Sequence, residues 1–182
     1  MKYREAIKSD AFGITKVQVD TWKTAYQGII AEEYLQSLSY KDKEQNWKHR
    51  LENPTHGAMI YVAETNNNDI IGFALATLEK YNPVIALLQA ERFIGELCAI
   101  YVLNDFQNRN IGTELVKSVV KYFKENTIYS MLTWVLKKNS SRRFYEKLGG
   151  TILGEQSIEI GGRKYTEVAY GWENIKFILS HF

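Results

Sequence analysis

The order of hydrophobic periods along the 182 residues predicts one α/β domain built on a mixed sheet. Apolar residues recur at helical spacing in the first third, at strand spacing in the middle, and alternate between the two periods in the last part. An apolar share of 45% and a charged share of 24% are those of a globular chain that can bury a core. The length is about that of one domain, so residues 1–182 are read as a single domain.

Each element has its own signal. Ser9 or Asp10 can cap a first helix carrying Phe12, Ile14, Val17, Trp22 and Tyr26. Short helices follow over Glu32–Leu38 and Lys41–Leu51, and the turn chemistry of Glu52-Asn53-Pro54-Thr55-His56-Gly57 ends the region. Met59–Glu64 and Ile70–Leu78 are β-type runs around Asn66-Asn67-Asn68-Asp69, which predicts an antiparallel hairpin. Glu96–Leu103 is nearly continuous in apolar residues, the pattern of a strand buried on both faces. The period then lengthens. Leu115, Val116, Val119, Val120 and Phe123 make one stripe over Thr113–Phe123, with Lys117, Lys121 and Lys124 off it. Ser130–Leu136 reads as a strand and Ser141–Leu148 as a helix stopped by Gly149-Gly150. Thr151–Ile160, with a break expected at Gly154, and Arg163–Trp172 are two more strands around Gly161-Gly162.

Composition removes several function classes. A net charge of +2, from 23 basic and 21 acidic side chains, argues against nucleic acid or a membrane surface as partner. The single cysteine, Cys98, excludes an internal disulfide and a cysteine-rich zinc site; in its apolar strand it reads as a small buried hydrophobe. His49, His56 and His181 show no ligand spacing, so no metal is expected. No apolar stretch is long enough to span a bilayer, and Met-Lys-Tyr-Arg-Glu-Ala carries no secretory h-region. The expected location is the cytoplasm.

The most informative stretch is Asn104-Asp105-Phe106-Gln107-Asn108-Arg109-Asn110-Ile111-Gly112-Thr113, where a strand feeds a loop that opens a helix. Backbone N–H groups without partners and the positive end of the helix dipole make such a start an anion site. Gly112 lets a phosphate approach the backbone, Asn110 tolerates positive φ, and Arg109 adds charge. An ordinary strand–loop–helix connection with one glycine explains the same residues. Neither a dinucleotide fingerprint nor a Walker A loop is present.

Gln107-Asn108-Arg109-Asn110-Ile111-Gly112 resembles the Q/R-x-x-G-x-G/A signature of the GNAT superfamily of acetyl-CoA-dependent N-acetyltransferases. Glu96-Leu97-Cys98-Ala99-Ile100-Tyr101-Val102 resembles that family's fourth strand. Trp134-Val135-Leu136-Lys137-Lys138-Asn139, with Arg143-Phe144-Tyr145-Glu146-Lys147-Leu148-Gly149-Gly150, resembles its next block. Asp20-Thr21-Trp22-Lys23-Thr24-Ala25-Tyr26-Gln27-Gly28 is similar to a bacterial subgroup. The motifs fall in the family's order over nearly the whole chain. One departure stands out: Asn110 replaces the first signature glycine.

The resemblance implies a GNAT fold: a mostly antiparallel central sheet flanked by helices, with the fourth and fifth strands splayed. It implies an acyltransferase that moves an acetyl group from acetyl-CoA, without a metal, to a primary amine by direct attack in a ternary complex. Cofactor contacts carry over to Arg109, Asn110, Ile111, Gly112 and Thr113 at the pyrophosphate, with Gln107 at the loop entry. Ile100, Tyr101 and Val102 carry over beside the pantetheine arm and the thioester carbonyl, and Asn139 beside the arm. With Asn110 in place of glycine, weaker but intact cofactor binding is expected. Tyr145 matches the tyrosine that protonates the departing thiolate; the bland reading is a packed aromatic. An acceptor amine of pKa about 10.4 must lose a proton, and Glu96 is the candidate base, with desolvation expected to raise its proton affinity. The alternatives for Glu96 are a solvent-facing strand-end carboxylate or a cation binder.

Lys137, Lys138, Arg142 and Arg143 either attract the adenosine phosphates or form a solvated surface. Trp22, Tyr26 and Lys41–Leu51 lie where the family builds its acceptor wall, while Tyr81, Phe93 and the loop Glu79–Arg92 are placed over the acceptor. The partner is a small-molecule or peptide amine; family members often form homodimers. An acyl-CoA-binding or sensory protein with little catalysis is the alternative to the enzyme. A basic nucleic-acid-associated module is disfavoured by the near-neutral charge.

Overall fold

The computed structural model describes residues 1–78 and 93–181. Its strands are β1 (Lys2–Glu5), β2 (Met59–Glu64), β3 (Ile70–Leu78), β4 (Gly95–Val102), β5 (Met131–Leu136), β6 (Thr151–Ile160) and β7 (Arg163–Trp172), hydrogen-bonded in the order β1-β2-β3-β4-β5-β7-β6. The helices are α1 (Ala11–Ala25), α2 (Glu32–Gln36), α3 (Tyr40–Glu52), α4 (Ile111–Glu125), α5 (Arg142–Lys147) and α6 (Lys176–His181). The sheet is mixed, with a parallel β4–β5 pair beside antiparallel ladders. No helix among the described residues is long and apolar enough to cross a membrane. The chain forms two compact units, residues 1–76 with 99–119, and 77–98 with 120–182.

In the first unit, β1, β2 and β3 form an antiparallel ladder from Lys2↔Glu64 through Met59↔Ala76. Ala11, Ile14 and Val17 of α1 and Trp47 of α3 close one side of it over Ile60, Val62, Phe73 and Leu75. Phe12, which the helical period also marked as apolar, is exposed. Strand β1 had no sequence signal of its own: it is four residues long and pairs only with β2.

Arg4 explains where β1 is held. Its Nε donates to Glu64 Oε2 at 2.6 Å, and its Nη1 and Nη2 donate to the two Asp10 oxygens at 2.6 and 2.9 Å. This corrects the expected cap of α1. Asp10 makes no side-chain cap bond to that helix; its carboxylate accepts from Arg4 and from the Ile7 N–H at 2.8 Å. Ser39, by contrast, does cap α3, accepting from the Asp42 N–H.

In the second unit, β7 is central, paired with β5 from Met131↔Trp172 to Leu136↔Glu167 and with β6 from Thr151↔Gly171 to Ile160↔Arg163. The break expected at Gly154 is a bulge: the register shifts between Ile152 and Gly154 while the strand continues. The β6–β7 turn uses Gly161 and Gly162 at φ 57° and 74°, the two positive angles that a tight two-residue hairpin requires. The whole apolar stripe predicted for α4 is fully buried.

The Arg4 cluster sets an acid limit on stability. Burial pushes the Asp10 carboxyl up, but the Arg4 hydrogen bonds and the Ile7 N–H outweigh it and leave its pKa lowered. A lowered carboxylate pKa contributes stability in full above the unfolded value, about 3.9, and loses it as pH falls through the folded value. Urea unfolding from pH 7 to pH 2 is expected to show a steep loss below about pH 4. Arg4→Met leaves two carboxylates without their cation, costs about 3 kcal/mol at pH 7, and regains stability relative to wild type on acidification.

Candidate active site

The strand–loop–helix junction lies in the first unit. After Val102 the chain makes one tight turn, with the Phe106 N–H on the Leu103 carbonyl at 2.9 Å, and then two positive-φ residues, Asn108 at 58° and Asn110 at 61°. Asn110 thus adopts the left-handed conformation that glycine would supply, as its residue type allows. The first helical bond runs from the Glu114 N–H to the Asn110 carbonyl at 3.0 Å, so the amides of Ile111, Gly112 and Thr113 have no intrahelical acceptor. Ile111 anchors this start in the core, whereas Arg109 and Asn110 are exposed. The Arg109 guanidinium sits 5.4 Å from the centre of the Phe106 ring, and the Gln107 side-chain amide donates to the Val102 carbonyl at 3.0 Å. Gln107 therefore braces the loop against the strand that feeds it.

On that strand the Tyr101 ring lies 5.5 Å from that of Phe73, tilted by 54°, and the Leu103 N–H bonds to the Ile71 carbonyl at 2.9 Å. Ile100, Tyr101 and Val102 are half-buried. The expectation that this strand is buried on both faces is corrected, since Cys98 is exposed rather than a buried hydrophobe. Its sulfur lies 3.2 Å from the Thr77 hydroxyl. An apolar run marks a covered strand only when both faces have neighbours, and here one face is left open at Cys98.

Glu96, Asn139 and Tyr145 lie in the second unit. The parallel register pairs Gly95 with Met131 and Glu96 with Leu132 and extends no further. Beyond it the Thr133 hydroxyl, not a backbone amide, donates to the Leu97 carbonyl at 2.7 Å. Through Glu96↔Leu132 and Leu136↔Glu167, with Leu132 and Leu136 on the same side of β5, Glu96 shares a sheet face with Glu167 of β7. Glu167 escaped the sequence reading. It is only 8% exposed and accepts from Gln156 Nε2 at 2.6 Å. Burial pushes its pKa up and the nearby Glu96 charge adds to this, against the Gln156 bond. The available signal was an acidic residue heading the uninterrupted buried run Glu167–Trp172.

Asn139 is buried, and its Oδ1 accepts from the Ser141 N–H at 2.8 Å, shaping the turn into α5. Tyr145 is 7% exposed, with ring centres 5.4 Å from Phe144, 5.9 Å from Tyr170 and 6.3 Å from Trp172. The Tyr170 hydroxyl bridges α5, donating to Glu146 at 2.6 Å and accepting from Arg142 at 3.0 Å. Of the four basic residues, Lys137 also bonds Glu155 at 2.8 Å, so two of them have internal partners. Phe93, 1% exposed, is a core residue packed with Leu132 rather than a cover over the acceptor. Tyr81 and the loop 79–92 lie outside the described residues.

Comparison with known proteins identifies the family and the fold. The sequence pattern of the acetyltransferase (GNAT) family matches residues 19–150. The chain is 34% identical over 172 residues to YuaI, an uncharacterised N-acetyltransferase of Bacillus subtilis (strain 168), covering 94% of this chain and 92% of that protein. Its fold is similar to that of a GCN5-related N-acetyltransferase from Rhodopseudomonas palustris, at a TM-score of 0.70 and 18% identity over 93% of each chain. It is also similar to the PaiA N-acetyltransferase of Thermoplasma acidophilum, solved in complex with coenzyme A, at a TM-score of 0.65 and 21% identity over 92% of this chain and 96% of that one. The resemblance carried by the loop and strand motifs thus holds over the whole fold: the chain belongs to the GNAT acetyltransferase family and is an acyltransferase.

Proposed function

We propose that residues 1–182 act as one N-acetyltransferase domain that transfers an acetyl group from acetyl-CoA to a primary amine in a ternary complex. The observation that carries this reading is the start of α4: three amides without intrahelical acceptors, behind an asparagine held at φ 61°. A diphosphate fits such a start, because the amides and the helix dipole supply positive potential and Gly112 puts no side chain in the way. Arg109 and Thr113 complete the loop's contacts, and Ile100, Tyr101 and Val102 offer strand backbone to the arm of the cofactor. Coenzyme A in the Thermoplasma relative supports acetyl-CoA as the ligand. Acetyl-CoA supplies an activated acetyl thioester; the chain has to orient it and manage two protons.

Glu96 takes the proton that the acceptor ammonium must lose before its nitrogen attacks. Tyr145 gives a proton to the sulfur as the carbon–sulfur bond breaks. Glu167 acts through Glu96: a negative charge on the same sheet face favours the protonated form of its neighbour. The packed rings around Tyr145 favour one other reading, an acyl-CoA-binding or sensory protein in which that tyrosine only fills space.

Thiol release from acetyl-CoA across a panel of amines separates the two. Turnover on one amine class, falling about 100-fold in both Tyr145→Phe and Glu96→Gln, is the expected result. Tight cofactor binding by calorimetry with no turnover on any amine establishes the sensory reading instead. Where turnover is found, Glu167→Gln removes a neighbouring negative charge and is expected to move the acid limb of kcat/KM to lower pH. An unmoved limb shows that the two carboxylates do not act together.

The loop backbone has its own test. Asn110→Gly should bind coenzyme A at least as tightly as wild type. Asn110→Val, forced into a conformation that costs a side chain roughly 1–2 kcal/mol, should bind about tenfold more weakly by calorimetry.

A further inference from the structure

Helix α5 is six residues long, Arg-Arg-Phe-Tyr-Glu-Lys, and Ser141 gives it no side-chain cap bond. A helix so short is not stable alone in water. Its charges oppose it as well. Arg142 stands in the first turn and Glu146 in the last, each at the end where the helix dipole disfavours its sign. Four residues apart in the order basic then acidic, they also make the weaker of the two helical ion-pair orientations. Neither charge is explained by the helix that carries it.

Strand β7 supplies what α5 lacks. Tyr170 and Trp172 stand two apart on that strand, so both side chains leave the same face. Trp172 donates to the Leu148 carbonyl at 2.8 Å, just past the helix. Tyr170, whose side chain is fully buried, holds both misplaced charges: its hydroxyl donates to Glu146 at 2.6 Å and accepts from Arg142 Nε at 3.0 Å. Arg142 Nη1 goes on to the Lys137 carbonyl at 3.1 Å. Burial and the bond to Glu146 hold the Tyr170 hydroxyl above its ordinary pKa, against the pull of Arg142, so it stays a donor at neutral pH. Tyr145 sits between the two held residues, its ring 5.9 Å from that of Tyr170 and its carbonyl bonded by the Gly150 N–H at 3.0 Å. A phenylalanine would fill nearly the same core volume at position 170, so packing alone does not ask for the hydroxyl.

We propose that Tyr170 is a positioning residue for the transferase reaction: its hydroxyl, seated between Arg142 and Glu146, fixes α5 on β7 and thereby sets where the Tyr145 hydroxyl stands. It acts through Tyr145. The inference deepens the reading of Tyr145 as proton donor to the departing sulfur and rests on it. Misplacing a reacting group by about 1 Å costs on the order of 100-fold in rate, so a loosened α5 is read first in kcat.

Tyr170→Phe keeps the ring and removes the hydroxyl. Its kcat should fall about tenfold, with the calorimetric Kd for coenzyme A within about twofold of wild type. The double variant Tyr145→Phe/Tyr170→Phe should be no slower than Tyr145→Phe alone, because a positioning group then has nothing left to position. Losses that multiply show general damage and overturn the proposal. Glu146→Ala takes the acceptor from the same hydroxyl at an exposed position, leaving the core intact, and should lower kcat likewise. Glu146→Gln, which keeps an oxygen there, should recover most of that loss.

A further readout needs no turnover. In protein whose tyrosines carry ¹³C at the hydroxyl-bearing ring carbon, the Tyr145 resonance is assigned by its loss in Tyr145→Phe. It should be single and sharp in wild type and broadened or doubled in Tyr170→Phe. A resonance as sharp in the variant as in wild type overturns the proposal. A slow Tyr145→Phe beside a Tyr170→Phe at the wild-type rate overturns the proposal alone and keeps the proton-donor reading. Tyr145→Phe at the wild-type rate, or no turnover on any amine, overturns that reading and the proposal with it.

Discussion

The constraint on which the rest depends is the two-residue length of the parallel ladder between β4 and β5. A full ladder would consume the backbone N–H and C=O groups of β4 on that side, and a bonded amide has nothing left to offer a thioester. The register covers Gly95 and Glu96 only, and the next exposed need, the Leu97 carbonyl, is met by the hydroxyl of Thr133. A side chain in place of a backbone partner satisfies one group without continuing the sheet. Gly95 secures the start of the pair: a Cβ there would lie 2.7 Å from the Phe123 ring, so only glycine lets α4 pack directly on the first rung. The strands are held together at one end by close packing, two backbone rungs and the Thr133 hydroxyl, and the parallel register goes no further.

A second consequence concerns charge. With β7 central in its unit, Glu167 is brought onto the same sheet face as Glu96 and is itself nearly buried. The neighbours that set its proton affinity are the neutral amide of Gln156 and the Glu96 carboxylate, neither of them a cation. Burial of a carboxyl on those terms is unfavourable to the fold and holds a proton near neutral pH more readily than an exposed carboxyl does. Arg4 shows the opposite arrangement. There two carboxylates share one guanidinium, the ion pairs tie β1 to β2 and to the start of α1, and Asp10 stays ionised to lower pH. The same residue types are held ionised in one place and pushed towards the protonated form in the other, according to whether a cation is supplied.

Much of this was legible in the sequence because it depends on local periods and residue types. The α4 stripe, the β2–β3 hairpin, the Gly161-Gly162 turn and the positive φ of Asn110 need no knowledge of partners. What escaped the sequence depends on contacts between distant residues. The four residues of β1 are a strand because β2 lies beside them and Arg4 finds Glu64 sixty positions away. Asp10 has the chemistry of a helix cap but a stronger partner nearby. Cys98 sits in an apolar run that reads as buried, yet the openness of its strand face is a property of the topology and not of the run. Glu167 and Phe93 were missed or misplaced for the same reason, since burial on β7 or behind β5 is decided by strands far away in sequence.

Where the chain breaks its own rules is therefore informative. A non-glycine residue sits in the left-handed region at Asn110, a thiol is exposed in an apolar strand at Cys98, and an indole donor is buried without an acceptor at Trp22. The Trp22 donor is not repaired locally, although the fold repairs equivalent groups elsewhere: Trp47 has Gln18, Trp172 has a carbonyl, and Thr15 has its own helix. Each exception falls on a segment whose sequence resembles substrate-handling parts of the family. Selection for stability alone would remove such defects, because single substitutions suffice to do so. The exceptions mark positions where a local rule and the rest of the fold disagree, and such disagreements are where functional constraint is to be sought first.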